Sequence, residues 1–370
     1  MRKIRRWVKD ERGTILVWTG ALMGALIAFA GLATDVPYLY VARRQAQTAA
    51  DAGAIAGAYG LFVSETQAVA EGKMIAGRTP VMGQLLATAQ VDIFVESGSG
   101  GSLRDQVRCV AYRDLAHNNS LPLFLLPVLQ LFGRDRSTAD VSATATARLV
   151  NSCNSNCFKP WSPPDKWIDN NGDGKFDAGV DTYIPPGQPG ATGYKYPEDQ
   201  GVQIVLKVGS PHNAPVPSDF FPIDFPPLNR GTPITGGDAY RTNIATCGPY
   251  SFVAAGDEVQ VEPGNMAGPT KQGVEDLINQ DPTAYWDTGC NCLKSPLGAN
   301  SPRLGRIPFY DPRFALNSGR NSLIVANVGG VFLESVQPNG DVIGRYTWVP
   351  SLGGTAGPSC SLMRVVQLVK

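Results

Sequence analysis

The hydrophobic period changes along this chain, and each change marks an element. Thr14 to Thr34, TILVWTGALMGALIAFAGLAT, is 21 residues without a charge. A helix rising about 1.5 Å per residue covers roughly 31 Å over that length, close to the ~30 Å hydrocarbon core of a bilayer. From Tyr38 the period stays helical but large side chains become scarce. Ala46, Ala49, Ala50, Gly53, Ile55, Ala56 and Gly57 crowd at i, i+3, i+4 spacing within RRQAQTAADAGAIAGA. Such a face lets backbones approach closely, as between packed helices, and buries too little apolar area for a thick globular core. Pro37 stands where a new first helical turn would begin. Helical patterning continues through SETQAVAEGKMIAGRTPVMGQ and weakens at Gly77 and Pro80.

The period then drops to two. VDIFVES (91–97), DQVRCVAYR (105–113) and ADVSATATARLV (139–150) alternate as strands, and LPLFLLPVLQLFG (121–133) predicts a short apolar helix despite Pro127. Cys109 alternates with charged neighbours, as a buried filler does. After residue 150 the composition shifts, with 25 of the 29 prolines beyond that point. Long helices are excluded there, apart from TKQGVEDLINQ (270–280), with Thr270 as N-cap, Val274, Leu277 and Ile278 on one face and Pro282 as the stop. Strands are predicted at 202–208, 250–253, 258–262, 323–327, 331–336, 342–349 and 362–369, with Asn339-Gly340 as a hairpin turn. The fold class is therefore α+β: a transmembrane helix and helical stalk, a small α+β domain, and a β-rich, Pro/Gly-rich C-terminal domain. The expected divisions are a cytoplasmic basic segment (1–13), the transmembrane helix (14–34), stalk and small domain (35–150), a proline-rich linker (151–200) and the β-rich periplasmic domain (201–370).

Charge orients this arrangement. Lys plus Arg equal Asp plus Glu at 32 each, which gives no argument for nucleic acid. Residues 1–12, however, carry six basic side chains against Asp10 and Glu11, a net of +4. The positive-inside rule leaves that end in the cytoplasm and sends the bulk across the membrane. Cleavage after Ala30, behind Ala28-Phe29-Ala30, would instead release the rest as a secreted protein. Prepilin-like processing after Gly13 would need an acidic residue where Trp18 stands. A retained single-pass anchor uses the full apolar length. Within it Gly20, Gly24 and Ala28 recur every fourth residue, a small-xxx-small stripe that admits a second helix.

The stretch ERGTILVWTGALMGALIAFAGLATDVPYLYVARRQAQTAADAGAIAGA resembles the N-terminal segment of TadE/TadG-like proteins of bacterial Flp (tight-adherence) pilus assembly. Arg12-Gly13 precedes the span, Asp35 closes it, Tyr40 follows, and Arg44, Gln47 and Ala49-Ala50-Asp51-Ala52 lead into an Ala/Gly tail. Pro37, where that family usually has glycine, and Gly53, inside the alanine run, depart from the pattern. The resemblance implies an inner-membrane, non-enzymatic component whose stalk (Arg44, Gln47, Ala50, Asp51, Gly53) packs against other pilus-assembly or pseudopilin-like membrane proteins. SPRLGRIPFYDP, VGGVFLE and GRYTWVP resemble the C-terminal part of the same family less specifically. DVSAT (140–144) is similar to the metal motif of von Willebrand A domains, but it sits inside an alternating strand.

Candidate chemistry is sparse. His117 and His212 lie in loops without a cysteine or carboxylate pair in the neighbouring sequence, and GNMAGPTK (264–271) lacks phosphate-loop spacing. The chain is therefore not expected to be an enzyme. Cys153, Cys157, Cys247, Cys290, Cys292 and Cys360 are disulfide candidates in an exported module; their C-x3-C and C-x-C spacings do not suit zinc, and the connectivity stays open. DNNGDGKFDAGVD supplies Asp169, Asn171, Asp173, Lys175 (through its carbonyl) and Asp177 at EF-hand positions 1, 3, 5, 7 and 9, with Gly174 at the sharp turn. Position 12 is Val180, and Asp181 follows at 13. Pro160, Pro163, Pro164, Pro185 and Pro186 forbid flanking helices. The expectation is a free-standing, structural calcium loop. A secreted or pilus-tip adhesin stabilised by that calcium is the alternative function.

Overall fold

Helix α1 (Thr14–Gly60) is 47 residues long in the computed structural model, about 70 Å at the usual rise. The structure describes residues 14–98, 103–125, 137–208, 221–248, 250–264, 266–314, 316, 321–357 and 363–369. The basic segment 1–13, Pro127, His212 and Cys360 lie outside them. Pro37 does not start a new helix, as its position suggested; it lies inside α1. Alanine-rich sequence on its C-terminal side and long apolar residues on the other supply enough propensity to carry the helix past one missing N–H.

The chain forms two compact units. The first comprises residues 1–57, 68–147 and 368–370. In it, α1 is joined by α2 (Glu65–Arg78), whose first turn is held where the Gln67 N–H donates to Ser64 Oγ at 3.0 Å. Glu65 in the first turn and Arg78 in the last complement the helix dipole. Strands β1 (Val91–Glu96), β2 (Gln106–Arg113) and β3 (Val141–Asn151) are neighbours in that order, with Val91 opposite Ala111 and Ile93 opposite Cys109. Along β3, buried Val141, Ala143, Ala145 and Ala147 alternate with Ser142, Thr144 and Thr146, the pattern of a sheet covered on one side.

Residues 121–125 correct the expected helix: Leu121–Pro122 is a two-residue strand paired with Thr138–Ala139. Proline at 122 biases Leu121 toward the extended region, as its place in that strand requires.

The second unit comprises residues 58–67 and 148–367. Its spine is a sheet in which the 15-residue β9 (Ser322–Val336) pairs with β5 (Glu258–Gln260), β8 (Leu304–Tyr310) and β10 (Val342–Thr347), while β10 pairs β4 (Gln203–Lys207). Helices α3 (Gly237–Ala245) and α4 (Ala267–Ile278) and the hairpin β6 (Tyr285–Asp287) and β7 (Cys292–Lys294) complete it, with β11 (Met363–Val369) at the end. All seven residues of β8 are buried. Side chains alternate between two cores: Val331 and Leu333 join Trp161, Ile307, Phe309, Tyr240 and Val274, whereas Phe332 joins Phe158, Phe225, Val259 and Trp286. A strand buried on both sides loses its alternating signature, which is why the sequence conceals β8.

Other expectations shift locally. The two strands foreseen at 323–327 and 331–336 are one, because Gly330 lets the Thr347 carbonyl approach its Cα without bending the strand away. Residues 337–341 make the foreseen hairpin turn, with Gly340 at φ 92°. Helix α4 starts earlier than Thr270, whose hydroxyl instead lies inside and donates to the Tyr240 hydroxyl at 3.3 Å. Helix α3 lies in a stretch for which no element is predicted, between the strands expected at 202–208 and 250–253. Residues 151–200, expected as a linker, fall inside the second unit, with Phe158 and Trp161 fully buried.

Candidate functional site

The apolar N-terminal half of α1 is bare. Ile15, Leu16, Trp18, Leu22, Leu26 and Phe29 are exposed, and a Cβ placed on Gly20 or Gly24 would meet nothing within 4 Å. The third stripe residue, Ala28, is half-buried. By length and composition this is the one helix among the described residues able to cross a membrane.

Asp35, at the end of the span, is by contrast fully buried. Its two carboxylate oxygens accept the backbone N–H groups of Phe124 (3.0 Å) and Leu125 (3.1 Å). Tyr38 meets the Phe124 ring edge-on at 5.1 Å. One carboxylate thus fastens the 121–125 segment to the helix where the apolar span stops. The sequence placed Asp35 at the end of the span but gave no sign of its partner, which is nearly 90 residues away.

Beyond it the small-residue face is filled by the chain itself. Ala42, Ala46, Ala49, Ala50, Ala54 and Ala58 have no exposed surface. A Cβ on Gly53 would lie 2.6 Å from Cys109 Sγ, 2.8 Å from Ala76 Cβ and 3.1 Å from the Gly72 carbonyl. On Gly57 it would lie 2.8 Å from Val107, and on Gly72 3.0 Å from the Gly53 carbonyl. Helices α1 and α2 therefore touch backbone to backbone above β1 and β2, and the face read as a surface for other helices is occupied by α2 and the sheet of its own unit. Burial pushes the Cys109 thiol up to about 12, with Asp51 and Asp92 adding to the rise, so it packs as an apolar filler. The polar stalk residues lie on the outer side. Arg44 stacks over Tyr40 at 5.5 Å, and the Gln47 amide donates to Asp51 (2.8 Å) and to the Thr144 carbonyl on β3 (3.1 Å).

In the second unit, residues 169–181 form a loop closed by an antiparallel bridge between Ile168 and Thr182, with Trp167 edge-on to Phe176 at 6.0 Å. Asp169 Oδ1 and Oδ2 accept the N–H groups of Gly172 (2.7 Å) and Gly174 (2.8 Å), and those bonds, the one from Gly174 foremost, hold its carboxyl below the usual range. Asp173 Oδ1 accepts the Lys175 N–H, and Asn171 donates to Asp177 at 3.0 Å. Asp181, one place beyond the usual twelfth position, turns back to accept the N–H groups of Asn170 (2.9 Å) and Asp177 (2.8 Å). Gly172 and Gly174 have φ near +75°, as the sharp turn requires. The donor set is hard oxygen throughout, which suits calcium. Its carboxylates are engaged with loop N–H groups, and among the described residues no three His, Cys, Asp or Glu side chains converge as metal ligands.

Of the cysteines, Cys157 and Cys247 have Cα atoms 4.6 Å apart, and Cys290 and Cys292 5.2 Å apart, both within disulfide reach. Cys153 packs against the Phe158 core. His117 does have a carboxylate neighbour: a turn brings Asp114 Oδ1 to 2.6 Å from Nδ1, and the ring stacks on Tyr112 at 4.1 Å.

Residues 13–60 match the model of the Tad family, described as "Putative Flp pilus-assembly TadE/G-like". No curated protein and no solved structure matches the chain. The matched stretch takes in the bare apolar span, Asp35 and the small-residue stalk together, so over these residues the chain is similar to TadE/G-like proteins of Flp pilus assembly.

Proposed function

We propose that this protein is a non-enzymatic structural component of a Flp/tight-adherence pilus assembly or a related secretion machine. It is held in the bacterial inner membrane by a single span, with its N-terminus cytoplasmic and both folded units on the periplasmic side. The observation that carries the reading is the family match over residues 13–60, coincident with an apolar helix left uncovered. Because the stalk's inner face is filled by its own unit, the surfaces left for other pilus-assembly proteins are the Gly20, Gly24, Ala28 stripe and the outer stalk residues Arg44, Gln47 and Asp51. Deleting the gene should abolish piliation while the wild-type chain fractionates with the inner membrane; normal pili in the deletion strain would refute the assignment. Sequencing the N-terminus of the cell-derived protein separates it from the secreted adhesin: Met1 or Arg2 marks the anchor, Gly31 the released form and Thr14 prepilin-like processing.

The loop at 169–181 extends this reading to a structural calcium ion held by Asp169, Asn171, Asp173, the Lys175 carbonyl, Asp177 and Asp181. The displaced twelfth ligand suits the weak extracellular class, with Kd on the order of 10⁻⁴–10⁻³ M. At ~1 mM calcium and a Kd of ~0.1 mM, binding stabilises by about 1.4 kcal/mol. Chelation should therefore lower the melting temperature of the full chain by a few degrees, and Asp173→Ala should remove that dependence. Identical melting of both proteins with calcium and with chelator would make the loop a plain turn.

A further inference from the structure

Among the described residues two pairs of cysteines come together in the second unit, and they differ in burial and in the length of chain they close. Cys157 is buried and Cys247 exposed, and their pairing closes a sequence separation of 90. Cys290 is exposed, and its pairing with Cys292 closes a separation of 2. Restricting a long unfolded loop stabilises a fold far more than restricting one intervening residue. The short pair therefore contributes least to holding the unit together, and neither of its cysteines is buried, whereas attack on the exposed Cys247 would have to expel the buried Cys157 sulfur.

The tip that carries it is fastened by other groups. Asn291, in the left-handed region at φ 52°, donates from Nδ2 to the Gln200 carbonyl at 2.7 Å. The Trp286 indole donates to Asn291 Oδ1 at 3.1 Å, and Gln200 Nε2 donates to the Asn291 carbonyl at 3.3 Å. Strands β6 and β7 pair Tyr285 with Lys294, Trp286 with Leu293 and Asp287 with Cys292. Trp286 itself is buried in the Phe332 core. None of these contacts uses sulfur. Opening the pair would leave both cysteines side by side on the same docked hairpin, which keeps the second thiol at high effective concentration beside the first.

We propose that Cys290 and Cys292 form a thiol–disulfide exchange site that accepts electrons from the cysteine thiols of other polypeptides. The thiolate of an incoming polypeptide attacks Cys290 Sγ, the exposed sulfur. The Cys290–Cys292 bond breaks, its electron pair stays on Cys292 Sγ, and that sulfur takes a proton from water. A second thiolate of the same polypeptide then attacks its own bound sulfur, which forms the polypeptide's disulfide and releases Cys290 as a thiolate that is protonated in turn. Two electrons and two protons pass from the polypeptide dithiol to the pair. The leaving-group order follows from access, since exchange depends on which sulfur is reached.

The test uses the full-length chain in detergent, with reduced glutathione and a synthetic two-cysteine peptide as thiol probes. Timed alkylation followed by peptide mapping should show Cys290–Cys292 opening at least ~10-fold faster than Cys157–Cys247, with circular dichroism unchanged while the short pair is open. Cys292→Ser given oxidised glutathione should accumulate a mixed disulfide on Cys290, with one equivalent of reduced glutathione released, and Cys290→Ser should not form it at residue 292 at a comparable rate. If either variant fails to fold, the wild-type opening order decides alone. Simultaneous opening of both pairs, opening only with loss of structure, or equal trapping on either cysteine would overturn the proposal.

Discussion

The two halves of α1 are built from the same small residues and end in opposite environments. A Cβ on Gly20 or Gly24 would meet nothing within 4 Å, whereas one on Gly53 or Gly57 would press against Cys109, Ala76 or Val107. The difference does not lie in the glycines. It lies in what surrounds them along the helix: Leu, Ile, Phe and Trp between Ile15 and Phe29, which bilayer lipid can solvate, against alanines from 42 to 58, which leave room for α2 and a sheet. A small residue is thus an opening for a neighbour, and the identity of the neighbour is decided elsewhere in the chain.

The strongest way to break this comparison is to fill both openings. Gly53→Leu must displace Cys109, Ala76 and the Gly72 carbonyl at once, and the last is backbone that cannot move alone. Overpacking of this kind costs about 1–3 kcal/mol. Thermal melting of the full chain in detergent should show a marked fall or loss of the first unit's transition, and a wild-type melt would show that the face is not packed as described. Asp35→Ala tests the boundary between the halves. It strands the N–H groups of Phe124 and Leu125, which are only partly shielded, so about 1–2 kcal/mol is expected. Faster hydrogen exchange at those two amides is the readout, and unchanged exchange would show that the carboxylate does not hold the segment. Gln47→Ala removes an exposed bridge from α1 to the Thr144 carbonyl and to Asp51, and should cost only about 0.5 kcal/mol by denaturant titration. The smallest effect on folding belongs to Gly20→Leu with Gly24→Leu, for which no change in melting is expected. In-membrane crosslinking should nevertheless fall if the stripe seats another helix, and crosslinking equal to wild type would reduce it to a lipid-facing surface.

Three strands and the long helix of the first unit were legible from local period and length. The strands at 91–96, 106–113 and 141–151 show their period of two, and α1 shows its apolar length. The loop at 169–181 was legible as an oxygen-rich turn, since its Asp, Asn and Gly residues bond to N–H groups only a few residues away. Strand β8 and helix α3 were not. The former is buried on both sides, and the latter rests on Tyr240 and Ile244, whose partners are far along the chain.

By itself, then, the sequence determined what local period and composition can dictate: a membrane-length helix, an alanine-rich continuation, a small alternating sheet, a β-rich second half and an acidic turn. Tertiary structure alone decided which small residues are covered and by what. It also decided that Asp35 answers Phe124 and Leu125, and that Asn291 docks the Cys290–Cys292 tip on Gln200. Each of these depends on a contact between residues distant in the chain. Such a contact leaves no periodic trace in either segment, because the close approach of one backbone to another is a property of the pair.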